Sequence, residues 1–167
     1  MSSSTVLDIM IVRDILPFEI ASTKDLLENW GDQPFTQLVG SWYWGHGRLG
    51  PYTIVWYDAL TPPGAEYVSG YVARDGQIVS VSCAGTQVRP TGPNSPYPPV
   101  IGGGSSGDYH VEIDLGMKGT FVFDVTAKFH TVRAAGEVYD RWTGKLTGGI
   151  RGEKTYSGTA LYEQFAL

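Results

Sequence analysis

The 167-residue chain has a length typical of one domain, and a domain of this size buries about 70% of the surface that its unfolded form exposes. Hydrophobic residues make up 42% of the chain and charged residues 17%, which excludes an intrinsically disordered protein. The formal net charge of −5 argues against a nucleic-acid partner, because no basic stripe is available to neutralise phosphates. No stretch approaches the roughly 20 apolar residues of a transmembrane helix, so we expect no membrane span.

Cys83 is the single cysteine of the sequence, which excludes an intramolecular disulfide and a cysteine-based metal cluster. The lack of disulfides favours a cytoplasmic location. Cys83 follows the apolar run 78–82, and we expect its thiol to be buried and inert. The apolar stretch 6–20 is interrupted by charges and has no basic region before it, so we do not expect a signal peptide.

Residues 1–28 differ from the rest and are predicted to be an N-terminal extension. Within them, 5–16 is compatible with a strand or a short helix, and 22–28 predicts one or two helical turns with Ser22 or Thr23 as N-cap. Residues 29–167 are predicted to form one β domain. No helical segment of any length is indicated after Trp30, which excludes a parallel α/β sheet.

Strand patterns follow one another regularly from Gln37 to the end of the chain. Asp75-Gly76, between two alternating runs, is a strong hairpin signal, and residues 46–50 are predicted to turn. The segment 89–107 is rich in Pro, Gly and Ser, and a loop of this length is usually functional or mobile. About eight or nine strands with short connections are typical of an antiparallel up-and-down barrel or a sandwich. The predicted strands are 37–45, 51–59, 66–74, 77–84, 108–115, 120–131, 139–146 and 156–165.

Aromatic residues, 13% of the chain, are the most informative feature. Residues two apart in a strand share a face, so Trp42 and Trp44 form one pair and Tyr52 and Trp56 another. Such rings fit either the rigid walls of a cavity or an ordinary core, and the pattern favours neither.

The cleanest alternation runs from Thr120 to Thr131, with Phe121 and Phe129 at the two ends of the predicted apolar face. Lys128 is on the polar face. It is either solvated or, if that face lines a cavity, the single cation that grips a ligand carbonyl or enolate.

Standard catalytic motifs for phosphate binding, serine hydrolysis and zinc are missing from the sequence. Asp58 and Asp114 are a conceivable acid and base, but nothing in the sequence places them together. Solvated or turn-capping roles are expected for both.

Several spaced motifs resemble the C-terminal half of the fungal lipocalin-like Diels–Alderases. These decalin-forming enzymes are similar in fold to carotenoid hydratase-like proteins. The similarity covers roughly 30–167. The motifs are Asn29-Trp30-Gly31, SWYWG at 41–45, GPYTIVWYDAL at 50–60, Val88-Arg89-Pro90 and GTALYEQF at 158–165.

Two departures from that family stand out. Its members carry an additional N-terminal β-domain, and they usually read Gly-Tyr-His-Asp where this chain has residues 25–28 as DLLE. The chain is therefore either a single-domain relative or a truncated version. A homo-oligomer or a separate partner chain is expected to replace the missing domain.

The resemblance implies an all-β, lipocalin-like barrel that performs an intramolecular [4+2] cycloaddition of an apolar polyene, such as a polyketide tetramic acid, without metal or cofactor. Rigid rings would fold the substrate into a reactive shape. From side-chain chemistry and strand face, Lys128 is the candidate catalytic cation, and the candidate substrate-binding residues are Trp30, Trp44, Tyr52, Trp56, Tyr139 and Trp142.

Two alternatives remain open from the sequence. One is a non-catalytic binding module for an apolar metabolite. The other is a hydratase or isomerase on the same scaffold, in which Asp58 or Asp124 protonates an alkene.

Overall fold

The computed structural model describes residues 35–93, 95–105, 107–134 and 138–167. The elements predicted within 1–28, and Trp30, lie outside these residues. In the described part of the chain, no helix is long and apolar enough to cross a membrane.

Nine strands and two short helical turns make up the described chain. Residues Phe35–Leu38 form α1, and Gly116–Lys118 form a single 3₁₀ turn between β6 and β7. The strands are β1 (Ser41–Leu49), β2 (Tyr52–Leu60), β3 (Glu66–Arg74), β4 (Gln77–Ser82), β5 (Thr86–Pro90), β6 (Tyr109–Asp114), β7 (Thr120–Arg133), β8 (Tyr139–Ile150) and β9 (Tyr156–Ala166).

One antiparallel sheet, with strand order β4-β3-β2-β1-β9-β8-β7-β6-β5, curls into a nearly closed barrel. This confirms the predicted lipocalin-like architecture and excludes the sandwich. The seam is closed by side chains: β5 lies against β2, where the Val88 N–H donates to Asp58 Oδ2 at 3.3 Å. Thr86 Oγ1 also lies so close to Gly70 of β3 that a Cβ there would be 2.4 Å from it.

The hairpin predicted at Asp75-Gly76 is confirmed, and both residues have positive φ, +49° and +78°, as a type I′ turn requires. The prediction for β1 was wrong at both ends. Gln37 lies in α1, and the strand continues through the predicted turn at 46–50 as far as Leu49. Pairing with β2 on one side and β9 on the other outweighs the local turn preference of that segment.

Two further expectations are corrected. The apolar alternation of β7 is confirmed through Val125, but a bulge between Ala127 and Phe129 ends it, and the Phe129 side chain is 71% exposed. Cys83 is exposed rather than buried, because it follows β4, which lies at an edge of the sheet. The strand β5 was not predicted.

Glycines on the inward face make room for the rings of the core. A Cβ on Gly45 would lie 2.2 Å from the Trp56 ring and 2.5 Å from Tyr162 Cβ. A Cβ on Gly144 would lie 2.8 Å from the Tyr162 hydroxyl. The barrel centre is thus packed ring against ring, with Trp56 edge-on to Phe123 at a centroid distance of 5.2 Å.

Candidate active site

One end of the barrel, called the mouth here, collects polar and aromatic side chains that project inward. It is formed where β1, β8 and β6 begin and where β2, β9 and β5 end. The β5–β6 connection contacts it from both sides: Tyr43 Oη donates to the Pro96 carbonyl at 3.3 Å, and Tyr162 Oη to the Gly107 carbonyl at 2.8 Å. The mouth residues are Tyr43, Asp58, Glu66, Arg89, Tyr97, Tyr109, His130, Asp140, Trp142, Tyr162 and Gln164.

Asp58 is the buried acid of the mouth. It is completely inaccessible to solvent and lies on the inward face of β2. Its Oδ2 accepts hydrogen bonds from the Val88 N–H and from Arg89 Nη1, the latter at 3.0 Å. Among the described residues, no donor reaches Oδ1. An acceptor oxygen buried without a donor favours the protonated carboxyl.

The carboxyls of Asp58 and Glu66 are shifted in opposite directions. Burial, and then the negative charge of Glu66, raise the pKa of Asp58 to about 6 despite the nearby Arg89 guanidinium. The Tyr97 hydroxyl, and then Arg89, lower the pKa of Glu66. Neighbouring carboxyls whose pKa values are pushed apart provide a proton donor and a charged partner at the same pH. Asp58 is the donor of this pair.

Asp58 makes the stability of the fold depend on pH. Its folded pKa of about 6 lies above the ordinary 3.8, so the unfolded chain releases this proton first as the pH rises. The stabilisation is therefore complete below pH 3.8 and is lost as the pH rises through 6, a change of about 3 kcal/mol. Urea denaturation between pH 4 and 7 should show this fall in the wild type and not in Asp58→Asn. The exposed Asp75→Asn should keep the wild-type slope, and equal slopes in all three proteins would contradict the prediction.

Four rings surround the centre of the mouth. Tyr109 lies 5.1 Å from Tyr43 and 5.7 Å from Tyr162 between ring centroids, and Trp142 stacks on Tyr162 at 5.8 Å. Burial raises the pKa of all three tyrosines, so their hydroxyls remain protonated. Tyr109 Oη donates to Gln164 Oε1 at 3.2 Å. The centre of the mouth is therefore a buried cluster of neutral rings, whose hydroxyls donate to the Pro96 and Gly107 carbonyls and to Gln164.

The β7–β8 side of the mouth contains a histidine that contacts a buried carboxylate. His130 Nε2 lies 2.7 Å from Asp140 Oδ1, which also accepts from Arg133 Nε at 3.2 Å. The imidazole stacks on Trp142 at 5.1 Å with 17° between the ring planes. This side of the mouth thus places an imidazole within hydrogen-bond distance of a buried carboxylate.

Gly107 ties the β5–β6 connection to the mouth. Its φ is +72°, and a Cβ there would lie 2.9 Å from both Ala127 Cβ and Trp142 Nε1. Gly107→Ala should lower the free energy of unfolding by about 2 kcal/mol more than Gly64→Ala does. Gly64 is the matched control, because its φ is +93° but nothing lies within 4 Å of the added atom. Equal losses in urea denaturation would show that backbone strain alone decides the effect.

Comparison with known proteins adds to this geometry. The chain is similar to fungal quinolone epoxide rearrangement proteins. It is 41% identical over 140 residues to quinolone epoxide rearrangement protein penF of Penicillium thymicola, covering 83% of this chain and 38% of that protein. It is 34% identical over 160 residues to asqO, of the same description, from Emericella nidulans, covering 95% and 43%. The chain spans about two fifths of the length of both relatives.

Structural comparison shows the same fold in the crystal structures of CghA and of CghA with Sch210972. The TM-scores are 0.58 and 0.56, and both matches have 17% sequence identity and cover 80% of this chain and 42% of the other. No family model matches the chain.

The predicted site residues are divided between the two faces of the sheet. Trp142 lies in the mouth, Trp56 in the packed barrel centre, and Tyr52 at the opposite end, edge-on to Phe121 at 4.7 Å. Trp44 and Tyr139 are on the outer face, and Trp30 is outside the described residues. The structure therefore does not bring the predicted aromatic walls together around one cavity, and their role as such remains a prediction.

Lys128 is exposed and lies at the bulge of β7. Its contact with a ligand carbonyl stays a prediction. Asp114 and Asp124 are both exposed: Asp114 Oδ1 accepts from the Gly116 N–H, and Asp124 pairs with His110. The expected turn-capping role is therefore confirmed for Asp114, whereas Asp58 is buried and not solvated.

The outer face has its own buried carboxylate. Glu163 accepts hydrogen bonds from Trp42 Nε1 at 3.2 Å, from Arg141 Nη2 at 2.9 Å and from the Tyr139 hydroxyl. These donors satisfy both carboxylate oxygens. Burial, and then Glu163, raise the pKa of the neighbouring Tyr57 to about 12.

Sequence reasoning did not single out Glu66, Arg89 or Tyr97. The available signal was Val88-Arg89-Pro90, one of the family-like motifs, which places an arginine just before a long loop. In the described part of the chain, no group of three His, Cys, Asp or Glu side chains is arranged to hold a metal ion. A depression of about 480 Å³ lies at the other end of the barrel, between Tyr52, Arg74 and Ile150, and the carboxyl in its lining, Glu153, is exposed rather than buried.

Proposed function

We propose that this chain is the barrel domain of an isomerase that rearranges the epoxide of a quinolone-type secondary metabolite. The observation that carries the proposal is Asp58, a buried carboxyl whose pKa is raised to about 6 within an aromatic mouth. The names of both relatives support the substrate class.

The proposed reaction needs one proton and returns it. The Asp58 carboxyl donates its proton to the oxirane oxygen while the adjacent C–O bond breaks, which leaves a hydroxyl and a positive charge on carbon. A hydrogen or carbon substituent then migrates with its electron pair to the electron-poor carbon. The resulting oxocarbenium ion returns the hydroxyl proton to the Asp58 carboxylate, and the product is an isomer of the epoxide.

The other mouth residues support this step electrostatically. The neutral rings of Tyr109, Tyr162 and Trp142 form the buried centre of the mouth, and in the proposed reaction their π faces would stabilise the carbocation. The Arg89 guanidinium, 3.0 Å from both Asp58 Oδ2 and Glu66 Oε1, stabilises the carboxylate that remains after proton donation.

A second candidate function is the intramolecular [4+2] cycloaddition of a polyene. The likeness to CghA, which concerns the fold, and the density of aromatic side chains favour it. In that reaction the rings would only restrict the polyene, and Lys128, the predicted cation, would polarise the carbonyl that activates the dienophile.

Incubation of the protein with a quinolone epoxide, and separately with a linear polyenoyl tetramic acid, distinguishes these functions. Product mass and stereochemistry are followed by liquid chromatography and mass spectrometry in H₂¹⁸O. We expect an isomer of unchanged mass, without solvent oxygen, to form from the epoxide faster than in buffer. A diol containing ¹⁸O, or binding without turnover, would overturn the proposal. Cycloaddition whose diastereomer ratio changes in Lys128→Ala would support the second candidate instead.

A further inference from the structure

Tyr97 fills a slot in the mouth that is directly next to the acid. The Arg89 guanidinium lies over its ring, 3.8 Å from the centroid, and the ring of Tyr43 is nearly parallel to it at 6.1 Å. The Tyr97 hydroxyl donates to Glu66 Oε1. A flat cation, a second ring and an ionised acceptor at the edge are together the contacts that recognise a planar aromatic ligand bearing a donor.

The same arginine connects this slot to Asp58. Arg89 Nη2 binds Glu66 Oε1 and Nη1 binds Asp58 Oδ2, each at 3.0 Å. A ring stacked on the Arg89 guanidinium is therefore separated from the proton donor, Asp58, by that arginine. Tyr97 belongs to the β5–β6 connection and not to a strand. The slot is therefore filled by a loop side chain.

We propose that the slot filled by Tyr97 binds an aromatic ring of the substrate, whose N–H or O–H replaces the Tyr97 hydroxyl at Glu66. The choice of ring rests on the proposed function, since a quinolone lactam has a flat fused ring with an N–H at its edge. Tyr97 is a tethered competitor in this arrangement. The affinity of a free ligand is then reduced by the fraction of molecules in which Tyr97 holds the slot.

Binding of 2-quinolinone, measured by isothermal titration calorimetry, tests the slot without turnover. Tyr97→Ala should bind this probe at least about tenfold more tightly than the wild type, because the competitor has been removed. Tyr67→Ala is the matched control, since it deletes an exposed tyrosine one residue after Glu66 and should not change the affinity. Tyr97→Val serves the same comparison if Tyr97→Ala does not fold.

The donor contact is tested by a double comparison in the Tyr97→Ala background. N-methyl-2-quinolinone, which lacks the N–H, should bind about tenfold more weakly than 2-quinolinone, and Glu66→Gln should greatly reduce this difference. Equal affinities of wild type and Tyr97→Ala, or no discrimination between the two probes, would overturn the slot assignment. Tight, N–H-selective binding without epoxide isomerisation would leave the slot intact and contradict the proposed function alone.

Discussion

Asp58→Asn is expected to lower the turnover number for epoxide isomerisation by about 10²- to 10⁴-fold. The amide has nearly the shape of the carboxyl and can still accept from Arg89 and the Val88 N–H, but it has no acidic proton for the oxirane oxygen. In the wild type, the rate should fall as the pH rises above about 6, because the donor is then ionised. Steady-state kinetics from pH 5 to 8 measure both effects.

Asp75→Asn is the control for this experiment. Asp75 is exposed, lies in the β3–β4 turn far from the mouth, and has a positive φ that asparagine adopts readily. It should retain the wild-type rate and pH profile. A fully active Asp58→Asn, or an Asp75→Asn equally impaired, would remove Asp58 from the reaction.

Gly45→Ala is expected to lower the free energy of unfolding by about 3 kcal/mol, at the upper end of the usual cost of overpacking. The added methyl would lie 2.2 Å from the Trp56 ring and 2.5 Å from Tyr162 Cβ. Neither neighbour can retreat, since Trp56 also packs edge-on to Phe123 and Tyr162 stacks on Trp142. Urea denaturation monitored by tryptophan fluorescence measures the loss.

Arg48→Ala is the comparison within the same strand. Arg48 is exposed on β1, and its removal should change the stability by less than about 0.5 kcal/mol. If both variants lose the same small amount, the core has space beside Trp56, and the tight ring packing described above is incorrect.

The periodicity of the sequence predicted most of the barrel. The apolar run 51–59, the strand pattern in 66–74 and the Asp75-Gly76 turn predicted β2, β3 and the hairpin to β4. The bulge at Ala127 was not visible, since it depends on the pairing of β7 with β8. The strand β5 was missed because it is short and precedes a Pro- and Gly-rich segment. Both failures come from long-range pairing, which local patterns do not encode.

The candidate site was predicted much less well than the fold. The sequence predicted that aromatic side chains, including those of the SWYWG and IVWYDAL motifs, line the site. Of the predicted site residues, Trp142 lies in the mouth. Asp58 was expected to be solvated, however, because nothing local to IVWYDAL indicates that β5 seals it from water. Burial under β5, about thirty residues further along the chain, raises its pKa, and its partners come from β5 (Arg89) and β3 (Glu66).

Asp58 has two roles because it lies at the seam of the barrel. The carboxyl that joins β2 to β5 is also the one proposed to donate the proton, so a substitution that removes its acceptor oxygens, such as Asp58→Ala, would lose the acid and loosen the closure of the fold together. Variation in acid strength among related chains should therefore occur at Glu66, whose charge raises the pKa of Asp58 but which takes no part in the hydrogen bonds between Asp58 and β5. In an enzyme of this architecture, we expect the aspartate to be retained and its acidity to change through neighbouring side chains.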